Sequence, residues 1–285
     1  MTGVIVSPNF VVASDGQDFD ANTPIIGYNN LVPDSTLTAT TEDADFPVSN
    51  LANPLTHLRW KSGAGSPSTE EYLTVEFDPE SSTPDIDYLA IARHNLGSSQ
   101  ATVSVEAAES SPGSPGDWTE VVGETLLPDD GPAIFRFTKQ PYFGVRLRIQ
   151  DSLAAAPATP YVSVMYVGAL LLLQRRIYVG HTPMTMGRSQ TVVNRRTING
   201  DFAGRIVLAE KRETSISLKN LTPDWYRNYM DPFLKDALQN PFFFAWRPGD
   251  YPREAGFGWT VNDPQPTNQL ANGMMQVDID IEGVA

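Results

Sequence analysis

Apolar residues recur along this chain mostly at every second position, in short runs closed by Gly, Pro, Asn or Asp, which is the pattern of half-buried β-strands. Leu73-Thr74-Val75-Glu76-Phe77 alternates and stops at Asp78-Pro79. Residues 86–92 are apolar enough for a central strand, and His94-Asn95-Leu96-Gly97 turns the chain. Residues 101–107 alternate again, followed by a Ser/Pro/Gly loop at 110–116. Strands at 118–122, 134–137 and 143–149 complete the set. In the last, Phe143, Val145, Leu147 and Ile149 share one face while Arg146 and Arg148 share the other. Brief extended pieces at 4–6 and 10–13 precede them, and the polar stretch 36–45 reads as surface loop. Many short strands without a helical stripe predict a β-sandwich.

The most apolar run, 162–173, is 12 residues long and contains Gly168. A spanning helix needs roughly 20. The run therefore reads as a buried strand or strand pair that closes the first module or opens a second, and no membrane span is expected. Residues 191–197 and 205–209 pair around Asn199-Gly200, a dipeptide that favours a type I′ hairpin. One helical pattern covers about 222–238. Thr222 can cap it, Pro223 suits its first turn, and Asp224 complements its positive end. Trp225, Tyr229, Met230 and Phe233 fall on one side, and Asp231-Pro232 can break it in two. Residues 242–246 are apolar on both faces, as a central or an interface strand would be, and 274–281 alternate to the end. The expected fold is mainly β. An N-terminal jelly-roll β-sandwich over 1–168, including an extended segment 1–45, precedes a C-terminal β-sandwich or barrel with one α-helix over 169–285.

Composition sharpens this picture. The 285 residues are 41% hydrophobic and 10% aromatic, ample for buried cores, and there is no cysteine for a disulfide or thiolate site. The first residues lack the basic start and apolar core of a signal peptide. The net charge of −14 is uneven: residues 1–166 hold 22 acidic against 7 basic residues (−15), and residues 167–285 hold 12 against 13 (+1). So acidic a first half repels phosphate backbones, which disfavours nucleic-acid binding there. The abrupt change also suggests two modules.

Candidate chemistry is sparse. His57, His94 and His181 are the only imidazoles, and none lies within four residues of another. No nucleophile elbow, phosphate-binding loop or dinucleotide fingerprint occurs, so neither an enzyme nor a cofactor is expected. Asp15, Asp18 and Asp20 could offer oxygens to calcium, but the spacing does not match the known loop, and a solvated acidic turn is the plainer reading. Asp129-Asp130-Gly131 reads as a turn. Arg188, Arg195, Arg196, Arg205, Lys211 and Arg212 form a basic group. It reads as a solvated hairpin face, or as a surface pairing with acidic neighbouring subunits, with a nucleic-acid contact as a further alternative but no sequence-specific nucleic-acid binding expected. Trp60, Trp118, Trp225, Trp246 and Trp259 fit either buried cores or sugar-stacking platforms.

Two resemblances extend the reading. Asn50-Leu51-Ala52-Asn53-Pro54, Leu58-Arg59-Trp60-Lys61-Ser62, the strand 73–77, residues 86–96 with their His94-Asn95 turn, Trp118 and the closing Tyr142-Phe143-Gly144-Val145-Arg146-Leu147-Arg148-Ile149 carry the first. Over about 45–150 the chain resembles the discoidin-like, galactose-binding-type jelly-roll; its ligand loops vary too much to transfer any binding residue. Gly180-His181-Thr182-Pro183, the 194–204 hairpin, the 221–244 helix and aromatic strand, Trp246-Arg247-Pro248-Gly249-Asp250-Tyr251-Pro252, Gly258-Trp259 and the ending 272–283 carry the second. Over about 170–285 the chain is similar to tail-tube and distal tail proteins of long-tailed bacteriophages. That resemblance implies a structural subunit of a tail tip or baseplate, made in the host cytoplasm and ending in the virion. Its implied partners are copies of itself in a ring and neighbouring tube, hub and fibre proteins; the jelly-roll and the loop tryptophans motivate an alternative, adhesive role with a host surface glycan as the ligand. The implied subunit interface draws on Arg188, Arg195, Arg196, Phe242, Phe244 and Trp246.

Overall fold

The computed structural model describes the chain except residues 1, 2, 9, 11–18, 64–69, 79–82, 112–116, 153–157, 178, 179, 270, 272 and 285. Short strands β1 (Val4–Val6), β2 (Ile25–Gly27), β3 (Thr36–Ala39) and β4 (Trp60–Lys61) come first. The longer β5 (Glu71–Glu76), β6 (Asp85–His94), β7 (Ala101–Ala108), β8 (Thr119–Leu126), β9 (Ala133–Pro141), β10 (Gly144–Ser152) and β11 (Tyr161–Gly168) follow. After β12 (Leu171–Leu172) come the paired β13 (Ser189–Arg196) and β14 (Phe202–Leu221). Helix α1 runs over 223–237, and β15 (Phe242–Ala245), β16 (Ala255–Thr260), β17 (Thr267–Asn268) and β18 (Met275–Val284) end the chain. Among the described residues no helix is long and apolar enough to cross a membrane.

These strands build three sheets. The outer sheet has the order β3-β5-β10-β7-β8, the middle one β1-β9-β6-β11-β4, and the third β12-β2-β15-β16-β18-β14-β13, with β17 on β18. Side chains of β6 alternate between two cores. Leu89 and Ile91 join Leu73, Val75, Phe135 and Leu147 in the core of the sandwich. Tyr88, Ala90 and Ala92 join Tyr166, Phe243 and Phe257 in a second core between the middle and third sheets. On the third sheet's other face Phe242, Phe244, Ile216 and Ile279 pack with Met230 and Phe233 of α1. The middle sheet is buried on both faces, which is why β6 reads as a continuous apolar run.

The two halves are therefore interleaved. Ile25–Gly27, expected within the first module, is a strand of the third sheet: Ile26 pairs with Phe244 on one side and Leu171 on the other. The apolar run is a strand pair split between sheets, β11 in the middle and β12 in the third. Gly168 sits at that crossing, where an added Cβ would meet the Asn29 carbonyl oxygen at 2.1 Å. Only a glycine lets the two backbones pass this closely.

Four local expectations are corrected. Residues 36–39, read as loop, form edge strand β3 against β5. The hairpin turn has a positive φ at Gly200 but not at Asn199, and a Thr197 N–H to Asp201 carbonyl bond closes a five-residue loop in place of the type I′ turn. Asp231-Pro232 does not break α1, because a π-type turn, Tyr226–Met230, precedes it and accommodates the missing amide. That wider turn also shifts the helical phase: Trp225 and Met230 face the core, while Tyr229 is 48% exposed. Of the extended piece 10–13, residues 11–13 lie outside the described residues, as do Asp15 and Asp18 of the acidic turn.

Candidate functional site

The end of β6 organises one rim of the sandwich. Arg93 has φ +54, unusual for a side-chain-bearing residue, and turns its own side chain outward while His94 points in. The His94 Nδ1 accepts the Leu96 N–H at 3.2 Å, which leaves the proton on Nε2, donated to the Gly131 carbonyl at 2.9 Å. Burial pushes the His94 pKa down to about 4 despite that hydrogen bond and the nearby Asp130. Asn95 ties a third segment: its amide donates to the Thr159 carbonyl at 2.9 Å and its oxygen accepts the Tyr161 N–H at 2.8 Å. The His-Asn pair is thus a staple between loops, and its side chains are spent on backbone.

What the staple holds open is a cleft of about 470 Å3. It is lined by Thr56, His57 and Arg59, by Arg93, Tyr161 and Ser163, and by Asp130 from the loop before β9. The Arg59 guanidinium lies 4.6 Å from the Phe46 ring centre and 5.1 Å from that of Tyr161. Held between two rings, it keeps its donors in a fixed plane. Asp130 Oδ1 accepts the Ser98 N–H at 2.8 Å. The segment 54–56 also borders a second, more apolar cleft of about 380 Å3, where Leu238, Pro241 and Trp259 face it.

Elsewhere the sequence motifs turn out structural. In Trp60-Lys61-Ser62, Trp60 is fully buried and donates Nε1 to the Thr41 carbonyl at 2.9 Å, while Ser62 donates to Glu71 at 2.7 Å. On β10, Arg146 pairs with Glu106 and stacks on Tyr72 and Trp118, and Arg148 pairs with Glu70. Trp118 is therefore a lid on an ion pair, and Trp225 belongs to a core. Trp259, 40% exposed, is the tryptophan that presents a ring to solvent. Among the described residues no group of three potential metal ligands forms, and Asp129 accepts the Gly131 N–H at 3.0 Å within its turn.

The expected interface residues fall in two places. Phe242 and Phe244 are buried within the protomer: their two-sided apolar strand is covered by the sandwich on one face and α1 on the other, with no neighbour required. Trp246 is half-buried, stacked on Tyr251 at 5.6 Å, 5.1 Å from the His181 ring, and bonded to Glu254. Arg188, Arg195 and Arg196 are exposed on a projecting arm. Residues 202–211 of β14 pair with β13 alone, whereas 212–221 pair with β18 in the sheet. The arm carries apolar side chains into solvent: Ile198 is fully exposed, Phe202 70% and Leu208 63%. By register Val192 stands with Val207 and Val193 with Ile206, so both faces of the arm are apolar.

The sequence matches no family model, and no curated protein matches it. Solved structures do. Chitosan-binding module 1 of a chitosanase/glucanase from Paenibacillus sp. IK-5 is 20% identical and aligns over 50% of this chain and 99% of its own, with a TM-score of 0.40. The module CpGH89CBM32-5 from Clostridium perfringens, in complex with GalNAc-β-1,3-galactose, is 12% identical over 50% of this chain and 100% of its own, with a TM-score of 0.40. A pectin-binding carbohydrate-binding module is 15% identical over 47% and 89%, with a TM-score of 0.36. Each is a likeness to about half of this chain.

Proposed function

We propose that this chain is a non-catalytic assembly subunit of the tail tip or baseplate of a long-tailed bacteriophage, closing with copies of itself into a ring that tube, hub and fibre proteins adjoin. It would be made in the host cytoplasm and end in the virion. The observation that supports the self-assembly in this reading is the β13–β14 arm. A lone two-stranded hairpin is marginal in water, and this one bears Phe202 and Leu208 with no core beneath them. In a ring each arm would lie across the next copy and both of its faces would be covered, which also hides its free edge. Sedimentation of the full chain and of the double variant Phe202→Asp/Leu208→Asp tests it. The full chain should sediment as a closed oligomer and the variant as a monomer with an unchanged thermal midpoint. A wild-type chain that remains monomeric at high micromolar concentration would sink the proposal.

The polar cleft favours a second role in the same protein: saccharide binding by the sandwich. The Tyr161 ring, guanidinium donors and the Asp130 carboxylate around an open volume of about 470 Å3 suit a hydroxyl-rich ligand. Because β2 belongs to the third sheet, removing the first half of the chain would unfold the rest, so the test uses the full chain on a glycan array. Silence across the array would remove this role and leave the assembly reading standing.

A further inference from the structure

We infer that the cleft beneath the 56–59 segment is built for a carboxylate-bearing saccharide, with Arg59 and Arg93 gripping the acid and Asp130 taking hydroxyls. This rests on reading the cleft as a saccharide site. Residues 1–166 contain seven cationic side chains amid 22 acidic ones. Lys61 pairs with Asp43 at 3.1 Å, Lys139 with Asp85 at 3.9 Å, Arg146 with Glu106 and Arg148 with Glu70. Arg136, buried, has no carboxylate within ion-pair distance among the described residues; its guanidinium lies over the Phe10 ring at 4.3 Å and Asp87 acts on it only at longer range. Arg59 and Arg93 likewise have no carboxylate within ion-pair distance among the described residues, and unlike the buried Arg136 both line this one cleft.

In a module so rich in carboxylates, cations scattered at random would find partners. Of the three guanidiniums without one among the described residues, the two that share this opening constitute an arrangement that a ligand can complete. Guanidinium forks match carboxylate geometry with two parallel hydrogen bonds, stronger than neutral pairs. Arg59 is pre-ordered by Phe46 and Tyr161, which lowers the entropy lost on gripping a ligand. Asp130 has one oxygen engaged by Ser98, and its other oxygen suits a sugar hydroxyl as donor to it. Thr56 and Ser163 add hydroxyls to the lining. Long-range repulsion from the acidic surface excludes polyanions that lack a close fit, so recognition depends on short-range pairing.

The test is an array of uronate- and sialate-terminated oligosaccharides beside the same glycans with their carboxyl groups reduced to alcohols, probed with the full chain. Expected is binding to at least one acidic glycan, weakened tenfold or more by carboxyl reduction and by Arg93→Gln, an exposed position that leaves the fold alone. Arg59→Lys, which keeps the charge but loses the flat fork, should weaken acidic glycans and spare neutral ones. Binding to neutral and acidic forms alike, lost on Arg93→Gln, would overturn the carboxylate inference and keep the saccharide site. Binding to no glycan would overturn both.

Discussion

His94 donates its Nε2 proton to the Gly131 carbonyl at 2.9 Å from inside the protein, and its Nδ1 has no room for a second proton because the Leu96 N–H already points at it. Its pKa of about 4 in the fold lies below the ordinary 6.5, so the unfolded chain takes up the proton first. Stability from this group is full above pH 6.5 and is lost as pH falls toward 4, by roughly 3 kcal/mol. Asp87 opposes it. Buried at the junction of middle and third sheets, it accepts the Leu170 N–H at 2.7 Å, and burial raises its pKa to about 6 despite Arg136 and Lys139. The folded chain takes up that proton first, so Asp87 adds stability as pH falls from above 6 toward 4, again by roughly 3 kcal/mol. Urea melts between pH 7 and 4.5 should therefore be nearly flat for the wild type. His94→Gln should become more stable on acidification. A His94→Gln profile that still falls would show that the imidazole is not the acid-sensitive group.

The second core makes a different demand. Phe243 lies 5.3 Å from the Tyr166 ring of the sandwich and 4.8 Å from Phe257 of its own sheet. Truncating such a ring in a dry core costs about 3–5 kcal/mol. Because that core is shared between sheets, Phe243→Ala should lower the whole molecule's urea midpoint in one transition, seen alike by tryptophan fluorescence and far-ultraviolet circular dichroism. Two separated transitions in the wild type would mean that the sheets fold independently.

How much of this was legible depended on what each signal encodes. Period-two alternation marks a strand with one wet face, and β5, β7, β10 and β18 were readable for that reason. A run apolar on both faces marks burial but not the partner that covers it. Residues 242–246 thus read as central or as interface, and Phe242 and Phe244 lie inside the protomer. β2 left no signal: three residues carry no period, and Ile26 finds its partner Phe244 across most of the chain. The phase of α1 was misread at Tyr229 because periodicity assumes an unbroken α-turn. The cleft was invisible, since Arg59 and Arg93 come from separate strand ends and nothing in their spacing marks a cation without a partner.

Tyr166 offers a third check. Its hydroxyl donates to the Pro241 carbonyl at 2.8 Å, joining β11 to the segment that follows α1, and burial pushes its pKa upward. Removing the hydroxyl leaves that carbonyl without its donor, at about 1–3 kcal/mol. Tyr166→Phe should lower the unfolding free energy by that amount while leaving sedimentation unchanged, because the contact is internal to the protomer. An unchanged urea midpoint would mean that water replaces the hydroxyl.

The arm supplies the last prediction. Residues 188–212 hold six basic and two acidic residues, net +4, so the remainder of the chain carries −18 of the total −14. Arg195 and Arg196 are exposed, and successive strand residues point to opposite faces. An arm laid between copies would then meet acidic surface on either side. Ring formation should weaken as salt is raised from low to high ionic strength, since exposed pairs are screened. Arg195→Glu and Arg196→Glu should each reduce self-association about tenfold, which is about 1.4 kcal/mol, without moving the monomer's thermal midpoint. Salt acting the opposite way, strengthening the assembly, would assign the contact to Phe202, Ile206 and Leu208 alone, because high salt favours apolar burial.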